Sequence, residues 1–195
     1  MDNGRHALDV KKLQESLGPL PEARGNPPFI VVSGLAGTWK SHFCRRLMGR
    51  YPFTRLESDA LRRVLFPSPT YSPRESERLF QACHQLMEEL LGEGIPLIFH
   101  ATNLSERHRE HLYRISDCQK AHLILDRVEA PREVVRQRLE ERERGKGPLV
   151  RSGAGWNVYQ GMRGSMQPIR RPHFAVDTSR EIIPVIDRVL REASK

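Results

Sequence analysis

The chain has 195 residues, 38% hydrophobic and 29% charged, with a formal net charge of +8 at pH 7 and a mean hydropathy of −0.57. That is the balance of a water-soluble globular chain with enough length to bury a core without disulfides or metals. No apolar run approaches the ~18 residues of a membrane span, and the opening MDNGRHALDVKK lacks the apolar stretch of a secretory signal. A cytoplasmic protein with no membrane partner is therefore expected.

Cys44, Cys83 and Cys118 are widely spaced and form no C-x-x-C pair, so they read as reduced core thiols. His108, Glu110 and His111 lack the H-E-x-x-H order of a zinc protease and read as a solvated helix face. Six Lys stand beside 26 Arg. Arg is the better fork for phosphate, but a codon bias gives the same total, and only clustered Arg residues are read as functional.

Residues 1–27 carry a weak helical pattern (Leu8, Val10, Leu13, Leu17) ending in the breaker GPLPEARGNPP, which joins an N-terminal appendage to a domain over 28–195. Residues 29–33 form a short β-branched run, read as a buried strand. A helix over 41–51 follows, then a strand over 53–57 and a helix over 59–66. The clearest helix spans 72–91: Ser72 is its N-cap, Pro73 its first residue and Glu75 the far end of a capping box, with Gly92 and Gly94 ending it. Strands over 95–99, 121–128 and 173–176 alternate with helices over 105–117, 131–144, 156–166 and 181–193. In the 131–144 helix, Val134, Val135, Arg138 and Leu139 face inward. Such alternation predicts an α/β fold, a parallel sheet covered by helices on both faces.

Gly34, Leu35, Ala36, Gly37, Thr38, Trp39, Lys40 and Ser41 follow the first strand and lead into a helix. This is a P-loop in its proper context. Its glycines let backbone N–H groups turn around phosphate, Lys40 reaches the β/γ phosphates, and Ser41 offers a hydroxyl to Mg²⁺. Trp39 stands where glycine usually precedes the lysine, and a positive φ there would cost about 1–3 kcal/mol. At the end of the second strand come Glu57, Ser58 and Asp59, with Arg62 one turn later. A carboxylate at that strand end can take a proton from an acceptor hydroxyl; equally, Ser58 or Asp59 can cap the helix while Arg62 is solvated.

Gly34 to Ser41, the run Ser58-Asp59 with Arg62, and Ala101-Thr102-Asn103 after the third strand together resemble the P-loop kinases of the polynucleotide kinase and zeta-toxin type. The resemblance covers about residues 28–190. It implies a five-stranded P-loop NTPase sheet ordered 2-3-1-4-5, with ATP or GTP and Mg²⁺ bound, and transfer of the γ-phosphoryl to a hydroxyl. The acceptor is left open among polynucleotide 5′ ends, small metabolites and nucleotide-sugar-like acceptors. It also implies Asp59 as general base, Arg62 as acceptor-side arginine, Thr102 and Asn103 in substrate binding, Arg142 with Arg138 as lid arginines, and a lid over 140–155. For Arg138 and Arg142 a salt-bridge ladder with Glu140, Glu141 and Glu143 is the alternative. The family writes Asp where this chain has His100, a poor Mg²⁺ partner. With Trp39, that departure favours a second reading, a weakened nucleotide-binding relative of such a kinase.

Overall fold

A computed structural model describes residues 2–145 and 155–195 of the chain. Five strands form one parallel sheet: β1 (Pro28–Ser33), β2 (Thr54–Glu57), β3 (Leu97–His100), β4 (His122–Glu129) and β5 (Phe174–Asp177). Their order is β2-β3-β1-β4-β5, as expected. β1 lies at the centre and all six of its residues are buried, so its apolar run has no polar alternation.

Between the strands run α1 (Asp2–Glu15), α2 (Lys40–Met48), α3 (Ser58–Leu65), α4 (Pro73–Gly92), α5 (Glu106–Cys118), α6 (Arg132–Arg144), α7 (Trp156–Arg163) and α8 (Ile183–Ala193). The strand period of two sends Phe29 and Val31 to one core, with Leu56, Phe99 and the inner faces of α1, α3, α4 and α5. Ile30 and Val32 go to the other core, with Phe43, Cys44 and Leu47 of α2 and Ile186 and Val189 of α8. A third, smaller cluster joins Leu35 of the P-loop to Val135 and Leu139 of α6 and Tyr159 of α7.

Side-chain caps start two of the helices, α4 and α5. The Ser72 hydroxyl accepts the Glu75 N–H at 3.3 Å, capping α4. The other half of the expected capping box does not form. Glu75 instead accepts from Thr70 N at 3.0 Å and Tyr71 N at 2.9 Å, and Tyr71 sits at φ +57°. Of the three thiols, Cys44 and Cys83 are buried but Cys118 is exposed, because it occupies the last turn of α5, on the solvent side. Val10 and Leu13 of α1 belong to the core that contains α4. No helix among the described residues is long and apolar enough to cross a membrane.

Candidate functional site

The P-loop is fixed by close approach. A Cβ on Gly34 would collide with the Val128 carbonyl oxygen of β4, and one on Gly37, at φ +78°, would meet Val135 Cγ1 at 2.8 Å. Only glycine lets the loop lie this near β4 and α6. Within the loop, the Thr38 hydroxyl and Lys40 Nζ both donate to the Leu35 carbonyl, at 2.8 and 2.9 Å. Burial pushes the Lys40 ammonium down to about 8, against the pull of the Asp59 and Glu57 carboxylates, while the Arg142 charge lowers it further. Lys40 is thus within electrostatic reach of the first turn of α3 and the last turn of α6.

Trp39 has φ +61° and ψ +32°, left-handed backbone at the N-cap of α2, with no side-chain cap. The strain foreseen for a residue replacing glycine is present. The residue is 50% exposed and its indole carries the Arg138 guanidinium 3.7 Å above the ring centroid. Arg138 is anchored in turn: Nη1 donates to Thr178 Oγ1 at 2.9 Å and Nη2 to Thr178 O at 2.8 Å. Thr178, buried just beyond β5, donates its hydroxyl to Thr38 O at 3.0 Å. Arg138 and Thr178 therefore clamp α6 and the β5 end onto the phosphate loop, and the salt-bridge ladder does not hold Arg138. Arg136 takes that part, pairing with Glu140 at 2.7 Å.

Asp59 lies in the first turn of α3, whose N-cap is Glu57 rather than Ser58 or Asp59, and no side chain caps the helix. Arg62, foreseen either on the acceptor side or in solvent, is 5% exposed. Its Nη2 donates to Ser76 Oγ at 3.1 Å, its Nη1 lies 3.6 Å from Glu75 Oε2, and its guanidinium rests 4.8 Å from the Tyr71 ring centroid. Its Nε and Nη1 have no hydrogen-bond partner. Asn103, at φ +48°, donates Nδ2 to Val32 O at 3.4 Å, and the Thr102 carbonyl accepts from Gly34 N at 3.2 Å. These two residues stitch the end of β3 to β1 and the loop. His100 ends β3 buried, and burial, with the charges of Lys40 and Arg55, drives its imidazole down to about 3, leaving it neutral at pH 7.

Of the expected lid, Arg142 and Arg144 fall on the last turn of α6, Gly145 is its C-cap and Gly155 precedes α7; Lys146, Gly147, Arg151 and Gly153 lie outside the described residues. Three side chains were not singled out from the sequence. Arg109 is 1% exposed and donates to Glu106 Oε2 at 2.8 Å, Asn103 O at 2.6 Å, Gln167 O at 3.0 Å and Pro168 O at 2.9 Å. It sits three and four residues before the buried Leu112 and Tyr113, a spacing that places it on the inner face of α5. Asp126, opposite Val32 on β4, is fully buried with neither oxygen hydrogen-bonded; burial holds its carboxyl well above the ordinary value. Glu57 was read only as part of the strand end.

The sequence profile of the AAA domain family matches residues 29–169. The chain belongs to the AAA domain family. Its fold is similar to that of Kti12 from Chaetomium thermophilum in complex with ADP-AlF3 (TM-score 0.69, 16% identity, 86% of this chain and 100% of that one). It is also similar to the Mycobacterium tuberculosis APS kinase CysC in complex with AMPPNP and APS (TM-score 0.64, 15% identity, 88% and 100%). A gluconokinase from Sinorhizobium meliloti 1021 shares it too (TM-score 0.60, 17% identity, 88% and 94%). No curated protein sequence matches the chain. Family and fold agree with the P-loop kinase resemblance carried by the motifs.

Proposed function

We propose that this AAA domain protein is a cytoplasmic kinase that moves the γ-phosphoryl group of ATP or GTP onto a hydroxyl, on a polynucleotide 5′ end or a small metabolite. The observation that carries the reading is the phosphate loop itself, where Gly34 and Gly37 lie hard against β4 and α6 and Lys40 follows at the start of α2, within electrostatic reach of Asp59 of α3 and Arg142 of α6. Two solved neighbours that hold nucleotides on the same fold support it.

Phosphoryl transfer needs positioning and charge neutralisation more than covalent chemistry. The loop N–H groups and Lys40 hold the β and γ phosphates. Asp59 takes the proton from the acceptor hydroxyl as its oxygen bonds to the γ-phosphorus and the bond to the β–γ bridging oxygen breaks. Arg142 offsets the charge that develops. Ser41 Oγ at the start of α2 and the Glu57 and Asp59 carboxylates at the start of α3 are oxygen donors of the kind Mg²⁺ prefers. No group of three His, Cys, Asp or Glu side chains among the described residues is arranged to hold a metal, so the nucleotide would have to complete its coordination. When bound, Mg²⁺ would neutralise phosphate charge.

Lys40→Ala should weaken ATP binding by about tenfold or more, 1.4 kcal/mol, read by calorimetry. Asp59→Asn should keep that affinity yet lose transfer by about 10²–10⁴-fold. If the wild type binds neither ATP nor GTP in the presence of Mg²⁺, the reading fails. The second reading, a nucleotide-binding protein with weakened catalysis, is favoured by the strained Trp39 backbone and by a neutral imidazole at the end of β3. It predicts binding without transfer to any acceptor.

A further inference from the structure

Among the described residues, two of the Trp, Tyr and Phe side chains are exposed, Trp39 at 50% and Tyr71 at 49%. Both stand on left-handed backbone, at φ +61° and +57°, where an L-residue is strained. Strain of this kind clusters at sites that use it. Tyr71 rests on Arg62 of α3. Trp39 belongs to the phosphate loop itself, next to Lys40 in the chain, and its indole reaches Arg138 of α6. A glycine at this position would offer a ligand no side chain, so the ring is particular to this chain.

The indole is held on one face only. The Arg138 guanidinium lies 3.7 Å from its centroid. Thr178 Oγ1 and O accept from that guanidinium at 2.9 and 2.8 Å, and Gly37 O accepts at 3.4 Å. The Thr178 hydroxyl donates to Thr38 O, so the support is tied back to the loop that carries Trp39. The neighbouring His42 ring lies 5.6 Å away and is tilted by 51°, so it does not stack on the second face. Trp156, the other tryptophan, shows the contrast. Tyr159 stacks on it at 5.0 Å and 18°, and the Arg132 guanidinium lies 5.4 Å from its centroid. A flat ring already fixed on one face and open on the other can take a planar ligand with little further loss of freedom.

We infer that the open face of Trp39 is the platform on which the purine base of the nucleoside triphosphate stacks, with Arg138 as the positioning residue that holds the ring. The inference rests on the proposed nucleotide-binding function. A triphosphate seated on the loop N–H groups carries its ribose and base away from Lys40, and the base comes to rest within a few bonds of the loop. Stacking reads the face of a base and not its edge, because every base has a π-face. Trp39 should therefore hold ATP and GTP alike and contribute nothing to inorganic tripolyphosphate.

The test is calorimetry on the full chain, in Mg²⁺, with ATP, GTP and inorganic tripolyphosphate. Trp39→Leu should lose about tenfold in affinity for ATP and for GTP, and none for tripolyphosphate. Trp39→Phe should keep most of the wild-type affinity, since it keeps a ring. Leu and Phe both carry a Cβ on the same left-handed backbone, so the strain of the loop cancels between them. In the unmutated protein, ATP should move the Trp39 ring signals upfield in the NMR spectrum through the ring current of the base, and tripolyphosphate should not. That measurement keeps the test open should a variant fail to fold. A Trp39→Leu variant that binds ATP as tightly as the wild type or more tightly, one that loses tripolyphosphate equally, or Trp39 signals that ATP leaves in place would each overturn the platform and leave the phosphate site standing. A wild type that binds neither ATP nor GTP would instead overturn the function on which it rests.

Discussion

Trp39 allows the backbone of the phosphate loop to be tested apart from its side chain. Left-handed backbone costs an L-residue about 1–2 kcal/mol, and glycine escapes that cost. Glycine also has more freedom to lose on folding, about 0.5–1 kcal/mol relative to alanine. With φ at +61°, the first term outweighs the second, and Trp39→Gly should be more stable than Trp39→Ala by about 1 kcal/mol. Both variants lose the same ring contacts. Half of Trp39 is covered, so burial of roughly 100 Å² is lost, about 2.5 kcal/mol, together with the Arg138 stack at 3.7 Å, about 1 kcal/mol. Trp39→Ala should therefore be less stable than the wild type by about 3.5 kcal/mol, and Trp39→Gly by about 2.5 kcal/mol. Urea unfolding of the three proteins, with a shared m-value, measures these differences directly. If Trp39→Ala proves as stable as Trp39→Gly, or more so, residue 39 is not held in the left-handed region and the strain argument is wrong.

Two other predictions concern buried charge. The Asp126 carboxyl is raised above its ordinary 3.8 by burial, so the folded state keeps a proton that the unfolded state has released. Its contribution to stability is whole below pH 3.8 and is lost as pH rises, by about 1.4 kcal/mol per unit until the folded-state value is passed. The stability of Asp126→Asn relative to wild type should thus climb with pH from about 4 upward, measured by urea unfolding in a series of buffers; a flat difference would mean Asp126 is ionised and paired. Arg109→Leu should cost about 3–5 kcal/mol, because it strands the Glu106 carboxylate and three backbone carbonyls. A loss below about 1 kcal/mol would show those acceptors finding other partners.

The sequence by itself determined the sheet, the loop and most helix starts. These depend on neighbours in the chain: the unbroken apolar run of β1 demands a strand buried on both faces, Gly34 to Ser41 sets a phosphate loop, and Ser72-Pro73 starts a helix. Even the strain at Trp39 was legible, since a loop that needs glycine exposes any substitute for it.

What the tertiary structure alone decided was the partner of each charged side chain. Arg138 and Arg136 lie two residues apart on one helix, yet Arg138 reaches Thr178 across the fold while Arg136 pairs locally with Glu140. Arg62 turned out to be enclosed by Glu75, Ser76 and Tyr71, and Glu57 came to face His100 only because β2 pairs with β3 in that register. Local patterns are set by backbone periods of two and 3.6, which any stretch of sequence displays. An ion pair or hydrogen bond between distant segments depends on strand order and register, and only the folded chain brings those together.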